Sequence, residues 1–192
     1  MRWLKVVFAA VMVSAVTMMM APGNAEALLR IGVEGRWVPL AEETMEEGGN
    51  EFSPDRHLGS SGIGVRGLLG FEFVAVGAKL NFTHHIFDQG SLNYTQFDIN
   101  AHVRSAMPLT RVAFYVEAGP SIALNIGDVG FNGAVGMEVD LLGWPHAHLN
   151  LGLAAQYAEV SIGTGPNERR AHEGIRGLVT LGFDFTLHSG SD

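Results

Sequence analysis

The chain has 192 residues, a formal charge of −8, 25 glycines and no cysteine, and only 17% of its residues are charged. This length suits one domain, and the lack of cysteine excludes a disulfide framework and any thiolate metal site. The acidic balance, with no basic stripe interleaved with aromatics, excludes nucleic acid as a partner, and much glycine with little charge suits short strands and turns.

Residues 1–27, MRWLKVVFAAVMVSAVTMMMAPGNAEA, have the three parts of a secretory signal. Arg2 and Lys5 form a positive start, and Val6 to Met20 is an apolar run broken only by Ser14 and Thr17. Pro22 and Gly23 then end the helix, and Ala25-Glu26-Ala27 offers an A-x-A cleavage site. The run is about 15 residues, short of the roughly 20 a membrane-spanning helix needs, so export through a Sec-type signal is expected. Every later apolar run is interrupted by polar residues within a few positions, so a mature chain in a membrane has to cross it as a closed barrel.

From Leu28 onward, segments alternate with a period of two residues, the pattern of strands with one apolar and one polar face. In the first, Leu29, Ile31, Val33, Gly35 and Trp37 oppose Arg30, Glu34 and Arg36, and a polar loop over 41–60 follows. The second sets Ile63, Val65, Leu69 and Phe71 against Arg66, and a tight turn near Glu72-Phe73 leads to the third. There Val74, Val76, Ala78, Leu80 and Phe82 oppose Lys79, Asn81 and Thr83. The fourth has a continuous polar face, Gln96, Asp98, Asn100, His102 and Arg104, behind Phe97, Ile99, Ala101 and Val103.

After a turn at Met107-Pro108-Leu109, the fifth sets Val112, Phe114, Val116, Ala118 and Ile122 against Tyr115, Glu117 and Ser121. The sixth opposes Phe131, Val135, Met137, Val139 and Leu141 to Asn132, Glu138 and Asp140, and Gly143-Trp144-Pro145 makes the next turn. The seventh pairs Leu149, Leu151, Leu153, Ala155 and Tyr157 with His148, Asn150 and Gln156. The eighth pairs Ile175, Val179, Leu181, Phe183 and Phe185 with Arg176, Thr180 and Asp184.

Each segment is about 9–12 residues, the length a tilted strand needs to cross a bilayer. Connections alternate between long polar ones, at 41–60, 84–93, 125–131 and 163–174, and short turns, as in outer-membrane barrels. The pattern therefore predicts an all-β fold, an eight-stranded antiparallel up-and-down transmembrane β-barrel over 28–187, with a short tail at 188–192.

Three features favour apolar faces outward. Aromatic residues fall near strand ends, Trp37, Phe82, Phe131 and Tyr157 at one rim and Phe71, Trp144, Phe183 and Phe185 at the other, as two membrane girdles would. The polar faces balance Arg30, Arg36, Arg66, Lys79, Arg104 and Arg176 against Glu34, Asp98, Glu117, Glu138, Asp140 and Asp184. A narrow lumen holds such charges only as paired networks, so Arg66, Lys79, Asp98, His102, Arg104, Glu117, Glu138, Asp140, Arg176 and Asp184 are the expected lumen network. Small residues share that face: Gly32, Gly64, Gly70, Gly77, Gly119, Gly136, Gly152 and Gly182. Beside long charged side chains they let the lumen fill, which predicts a plugged barrel.

The stretches RVAFYVEAGPSIAL, FNGAVGMEVDLL, HLNLGLAAQY and RGLVTLGFDF resemble the strands of the eight-stranded OmpA/OmpX-type family of small outer-membrane barrels, across about residues 28–187. The resemblance implies the architecture and an outer-membrane setting; it implies no particular activity.

Other chemistry is weaker. The acidic residues Glu42, Glu43, Glu46, Glu47, Glu51 and Asp55 of the 41–60 loop show no EF-hand spacing and read as a solvated acidic loop. His84 and His85 point to opposite faces of a strand, whereas His146 and His148 share one without an evident third ligand. Asp98, His102, Arg104 and Glu117 share an inner face and read as a salt-bridge set that holds strand register. Neither a His-x-Ser spacing within a strand nor a Gly-x-Ser-x-Gly elbow occurs, so no catalytic residue, cofactor or metal is expected. The expected partners are membrane lipid and lipopolysaccharide, with an extracellular protein or surface reached through the loops; Asn167, Glu168, Arg169 and Arg170 mark the fourth. Two alternatives stay open: a soluble periplasmic ligand-binding β-barrel and a lipid A-modifying outer-membrane enzyme.

Overall fold

A strand with one apolar and one polar edge is satisfied only when the sheet encloses one of its faces. The computed structural model describes residues 28–47, 50–52, 59–71, 73–86, 93–124, 128–165 and 168–188, and there the sheet closes on itself. The secretion signal expected at 1–27 and residues 189–192 lie outside the described residues.

Among the described residues nine strands follow one another: β1 (Leu28–Glu47), β2 (Asn50–Phe52), β3 (Ser60–Gly70), β4 (Val74–His85), β5 (Tyr94–Ala106), β6 (Val112–Ala123), β7 (Asp128–Asp140), β8 (Ala147–Gly165) and β9 (Glu168–His188). All pairings are antiparallel: β1 pairs with β3, β3 to β9 pair in chain order, and β1 pairs with β9 to close an eight-stranded barrel. The three-residue β2 stands outside it, paired only with the far end of β1. Among the described residues there is no helix.

The two faces are inverted relative to a water-soluble protein. Inward positions carry buried charge, such as Arg66, Lys79, Glu117, Arg176 and Asp184, while outward positions expose Val33, Ile63, Leu69, Val135, Leu153 and Phe185. Inward glycines make the lumen narrow. A Cβ at Gly77 would run into the carbonyl of Gly67, and one at Gly119 into the carbonyl of Ile99. Gly136 leaves room for the Tyr115 ring, whose Cζ would lie 2.6 Å from an added Cβ.

The connections differ from the sequence expectation. Residues 41–47 and 50–52 of the expected 41–60 loop are strand, as are 163–165 and 168–174 of the expected 163–174 loop, and β7 begins at Asp128 inside the expected 125–131 loop. Glu42, Glu43, Glu46 and Glu47 thus belong to β1 and Glu51 to β2, whereas Asp55 lies outside the described residues. Glu168, Arg169 and Arg170 open β9, and Asn167 is likewise outside. Strand β9 also takes in His188, the first residue of the expected tail.

The reason is that alternation marks a strand only where its two faces meet different surroundings. Backbone pairing has no such requirement. The β1–β3 ladder stops at Val38↔Ser60 and the β7–β8 ladder at Phe131↔Glu159. Strands β1, β8 and β9 run on beyond both points, as a sheet of order β2-β1-β9-β8. The strand lengths of 20, 19 and 21 residues for β1, β8 and β9, against 11–13 for β3 to β7, reflect this extension.

A register shift between Trp37 and Leu40 sits where β1 enters the extension. Pro39 has no N–H to give the ladder, and a bulge absorbs the unmatched residues so that Trp37 and Leu40 are both exposed while Val38 is buried.

The glycine geometry predicts a contrast between cross-strand neighbours. Gly77→Ala forces backbone apart and should cost about 1–3 kcal/mol as overpacking, whereas Gly67→Ala, with nothing within 4 Å of its Cβ position, should be tolerated. Urea unfolding of the two variants in vesicles measures the difference.

Candidate functional site

The lumen is the place where this chain gathers its chemistry. Period-two geometry sends the even-numbered residues of β1 and the odd-numbered residues of β4 and β6 to the same enclosed side. Closure then brings together residues far apart in sequence. We describe the contents from the short-turn end towards the extended end.

At the short-turn mouth, His148 Nδ1 lies 2.7 Å from Asp140 Oδ2, and its Nε2 is 3.1 Å from Thr186 Oγ1. The other Asp140 oxygen accepts the backbone N–H groups of Leu142 and Gly143, each at 3.1 Å. Arg30 reaches His148 only at 3.5 Å.

Above the mouth, Arg66 spans the lumen from β3. Its Nη1 donates to Glu138 Oε2 on β7 at 2.7 Å, and its Nε donates to Asp184 Oδ1 on β9 at 3.0 Å, with Nη2 against the second Asp184 oxygen. Arg104 Nε from β5 donates to the remaining Glu138 oxygen, and Asn150 Nδ2 donates to Asp184 Oδ2 at 2.8 Å. Two guanidinium groups and two carboxylates thus form one closed set tying β3, β5, β7 and β9. Hydrogen bonds between ionised groups in a fork geometry are the strongest a side chain makes.

A second cluster lies next to it. Lys79 Nζ is 2.8 Å from Glu34 Oε1 and 3.0 Å from Glu117 Oε2, and it sits 5.5 Å from the centre of the Tyr115 ring. His102 Nδ1 shares Glu117 Oε2 at 3.3 Å, and its ring stacks on Tyr115 with centroids 5.1 Å apart. Arg36 stands between Glu34, Asp98 and Glu117 at 3.8, 3.6 and 3.8 Å. Those distances are ion pairs and too long for hydrogen bonds, so Lys79 holds the close contacts and Arg36 supplies field.

Towards the extension the lining changes to amides and hydroxyls. Asp98 Oδ1 accepts from Ser121 Oγ at 2.6 Å and from Gln96 Nε2 at 2.7 Å. Asn100 and Asn132 exchange hydrogen bonds, each at 2.9 Å, and Asn132 also donates to Ser121 Oγ at 2.9 Å. Arg176 closes this end. It donates to Tyr94 Oη at 2.7 Å and to Gln96 Oε1 at 2.8 Å, and its Nη1 is 3.2 Å from His85 Nε2, whose ring stacks on Tyr94.

The ten residues expected to share a lumen network therefore separate by height. Arg66, Arg104, Glu138 and Asp184 form one cluster; Lys79, His102 and Glu117 form another, with Asp98 at its edge through Arg36. Asp140 and Arg176 belong to neither and occupy opposite ends of the lumen. The four-residue set Asp98, His102, Arg104 and Glu117 is not a convergent pocket: of these only His102 and Glu117 bond each other, and Arg104 turns to Glu138. Nine of the ten are buried, and Asp140 is half-buried.

Tyr115, Gln96, Ser121, Asn100, Asn132, Tyr94 and His85 also line the lumen, as do Asn81, Thr83, Gln156 and Thr180. Parity marks the inward side of each, but only the stagger between strands shows which partner it meets. His84, on the opposite face from His85, is exposed and lies 3.1 Å from Thr95 Oγ1.

The eight aromatics expected at the rims lie on outward positions or in turns. Trp37 and Phe82 are exposed, and Phe131 and Tyr157 half-buried, towards the extension. Tyr157 donates to Glu173 Oε1 at 2.7 Å. At the other end Phe71 and Trp144 sit in turns, while Phe183 and Phe185 meet edge to face, 4.9 Å between centroids and 83° between planes. The outer surface also has an apolar groove of about 680 Å³ across β6 to β9 and β1, floored by Val135, Ala155 and Gly177.

No family model matches the chain, and no curated protein matches it in sequence. Solved structures do match in fold. The outer membrane protein OprG from Pseudomonas aeruginosa superposes with a TM-score of 0.54 at 13% identity, over 86% of this chain and 97% of that one. The outer membrane protein AlkL, determined by solid-state NMR in lipid bilayers, superposes with a TM-score of 0.51 at 12% identity, over 90% of this chain and 95% of the other. The chain thus has the closed eight-stranded fold of small outer-membrane barrels.

Removing one member of the tight cluster tests its energetics. Arg66→Ala leaves Glu138 and Asp184 buried without their main partner and should cost about 3–5 kcal/mol. In a double-mutant cycle with Asp184→Ala, the double variant should lose less than the sum of the singles; urea titrations of all four proteins measure the coupling.

Proposed function

We propose that this eight-stranded barrel is an integral protein of the bacterial outer membrane, delivered by the signal at 1–27. Its lumen is plugged by charge pairs, and its role is structural or surface-binding. One observation carries the reading: charge is buried inside while large apolar side chains are exposed outside. In water such a surface would be a wide apolar patch; in lipid it is the satisfied arrangement. The same inversion speaks against a soluble barrel with an apolar lumen for a ligand, since the inward face here is charged and filled.

With an even number of barrel strands, the short turns face the periplasm and the β2-β1-β9-β8 sheet rises from the cell surface. Extended strands held by their neighbours, in place of flexible loops, would then present the interaction surface. Membrane lipid and lipopolysaccharide surround the barrel in this reading, and an extracellular protein or surface is the partner of the raised sheet. The lumen offers fixed ion pairs and no convergent nucleophile, which supports a non-enzymatic role. The aromatics at the two rims would serve as interfacial girdles.

Fractionation of cells expressing the full chain, with a gel comparing boiled and unboiled samples, tests the setting. Recovery in the outer membrane with a heat-dependent mobility shift is the expected outcome, and recovery as a soluble periplasmic protein would overturn it. Leu151→Arg places charge on the lipid face near mid-strand and should destabilise the barrel by about 2–4 kcal/mol. Ala154→Arg, three residues on and inward, should act by crowding; equal tolerance of charge at Leu151 and in a surface turn would refute the orientation.

A further inference from the structure

Leu109 combines two unfavourable features. Its φ of 62° lies in the left-handed region, which Gly or Asn adopts far more readily, and its side chain is fully exposed at the tip of the turn between β5 and β6. Backbone strain that persists at an exposed tip points to a use for the side chain there.

The neighbouring turns share the character. Phe73 after β3, Met107 beside Leu109, and Leu141 and Trp144 after β7 are all exposed. By sequence the three turns hold only three residues that can carry charge, Glu72, Arg111 and His146, although turns facing water are ordinarily polar.

The turns are also laced together. Phe71 N–H donates to Val74 O and Ala106 N–H to Phe73 O, each at 2.8 Å, Met107 N–H to Val112 O and Asp140 N–H to Arg111 O, each at 2.9 Å. Arg111 lies over Gly143 and donates to Leu141 O at 3.4 Å, joining the second turn to the third. The apolar side chains are therefore held in place by the backbone beneath them.

Strand heights show what these side chains are for. The two strands that end in the first and second turns carry short outward apolar runs, Ile63 to Leu69 on β3 and Phe97 to Val103 on β5, six steps each, against ten on β7 from Val129 to Val139. At about 3.4 Å per residue and a tilt of about 40° the short runs span roughly 16 Å of height, well short of the roughly 25 Å apolar band of a membrane barrel. Counting on from Phe97, past the exposed Ser105, to Met107 brings the height to roughly 26 Å at the same rise and tilt. The apolar surface continues from Leu69 to Phe71 and Phe73, and from Val139 to Leu141, with no polar side chain at the outward positions between.

We infer that the three short turns form a rigid apolar crown that is embedded in the periplasmic-side phospholipid leaflet, with Arg111 pairing with lipid phosphate. The inference rests on the outer-membrane reading and names its lipid contact. The occupant is lipid because the crown is continuous with the lipid-facing band. Arg111, a long side chain at the edge of an apolar surface, is suited to reach headgroup phosphate while its stem stays in the apolar layer.

The test uses the full chain folded into vesicles of phosphatidylethanolamine and phosphatidylglycerol, with acyl chains brominated near the headgroup. Trp3→Phe with Trp37→Phe leaves Trp144 as the reporter in the crown; Trp3→Phe with Trp144→Phe leaves Trp37 as the reporter on the barrel wall. Brominated lipid should quench both by roughly twofold or more, and aqueous iodide should quench neither, as for interfacial tryptophans. Leu109→Gly, which relieves the backbone and so preserves folding, should weaken the quenching of Trp144 and leave that of Trp37 unchanged. Arg111→Gln should reduce quenching of Trp144 by brominated phosphatidylglycerol and by brominated phosphatidylethanolamine alike, since both carry the phosphate; unchanged quenching by both would overturn the role given to Arg111. Quenching of Trp37 by lipid together with quenching of Trp144 by iodide would overturn the crown while leaving the membrane barrel intact, and would open those turns to a periplasmic protein. Quenching of neither by lipid would overturn both readings.

Discussion

Arg66 reaches across the lumen to Glu138 and Asp184, which are 72 and 118 residues away in sequence. Eight strands enclose too little space for a water column, so a charge on the inner face has to be neutralised by another inner-face charge. The rest of the structure follows from that requirement. Charges of opposite sign have to arrive at the same height, which demands one particular stagger of the strands. A slip of one residue would turn the whole polar face of a strand into the lipid or water outside. The ion pairs therefore act as a register lock, and their cost in desolvation is offset only in the register in which they meet.

Small residues are the counterpart of those long side chains. Gly32 faces the Asp184 carboxylate, and Gly64 faces Asn81 and Glu34. Each yields the space that a charged neighbour occupies. In the proposed reading, a lumen filled in this way gives rigidity and the barrel serves as a platform. What differs from one side to the other is what the platform carries. At one end the strands finish in tight, apolar turns; at the other, three of them run on well past the barrel and hold one another in a raised sheet. A fixed surface of this kind needs less ordering on binding than a flexible loop does, which suits a role in contact with a partner.

Much of this was legible in the chain. Alternation identified the eight barrel strands, and the polar face of β5, from Gln96 to Arg104, is continuous both in sequence and inside the lumen. It failed at the extension. Residues such as Glu42 to Glu47 alternate with nothing because neither side of a strand beyond the closed barrel is required to be apolar. A run of acidic residues there looks the same whether it is looped or paired. At the turns, Met107-Pro108-Leu109 is recognisable as a turn in the sequence, while the left-handed conformation and full exposure of Leu109 are not.

The sequence by itself determined the class of fold and the side each residue takes, because side-chain direction in a strand is a local consequence of backbone geometry with a period of two. It determined that both signs of charge face inward, and so that they have to pair. Which charges pair was decided only by tertiary structure. Arg104 lies two residues from His102 and shares its face, yet the two contact different carboxylates, Glu138 and Glu117, because height in the lumen depends on tilt and stagger summed over every strand. The length of β1, β8 and β9 beyond the barrel was decided in the same way. Backbone hydrogen bonds extend a ladder wherever a neighbour is present, and that neighbour, for β1, is a strand more than a hundred residues away in the chain.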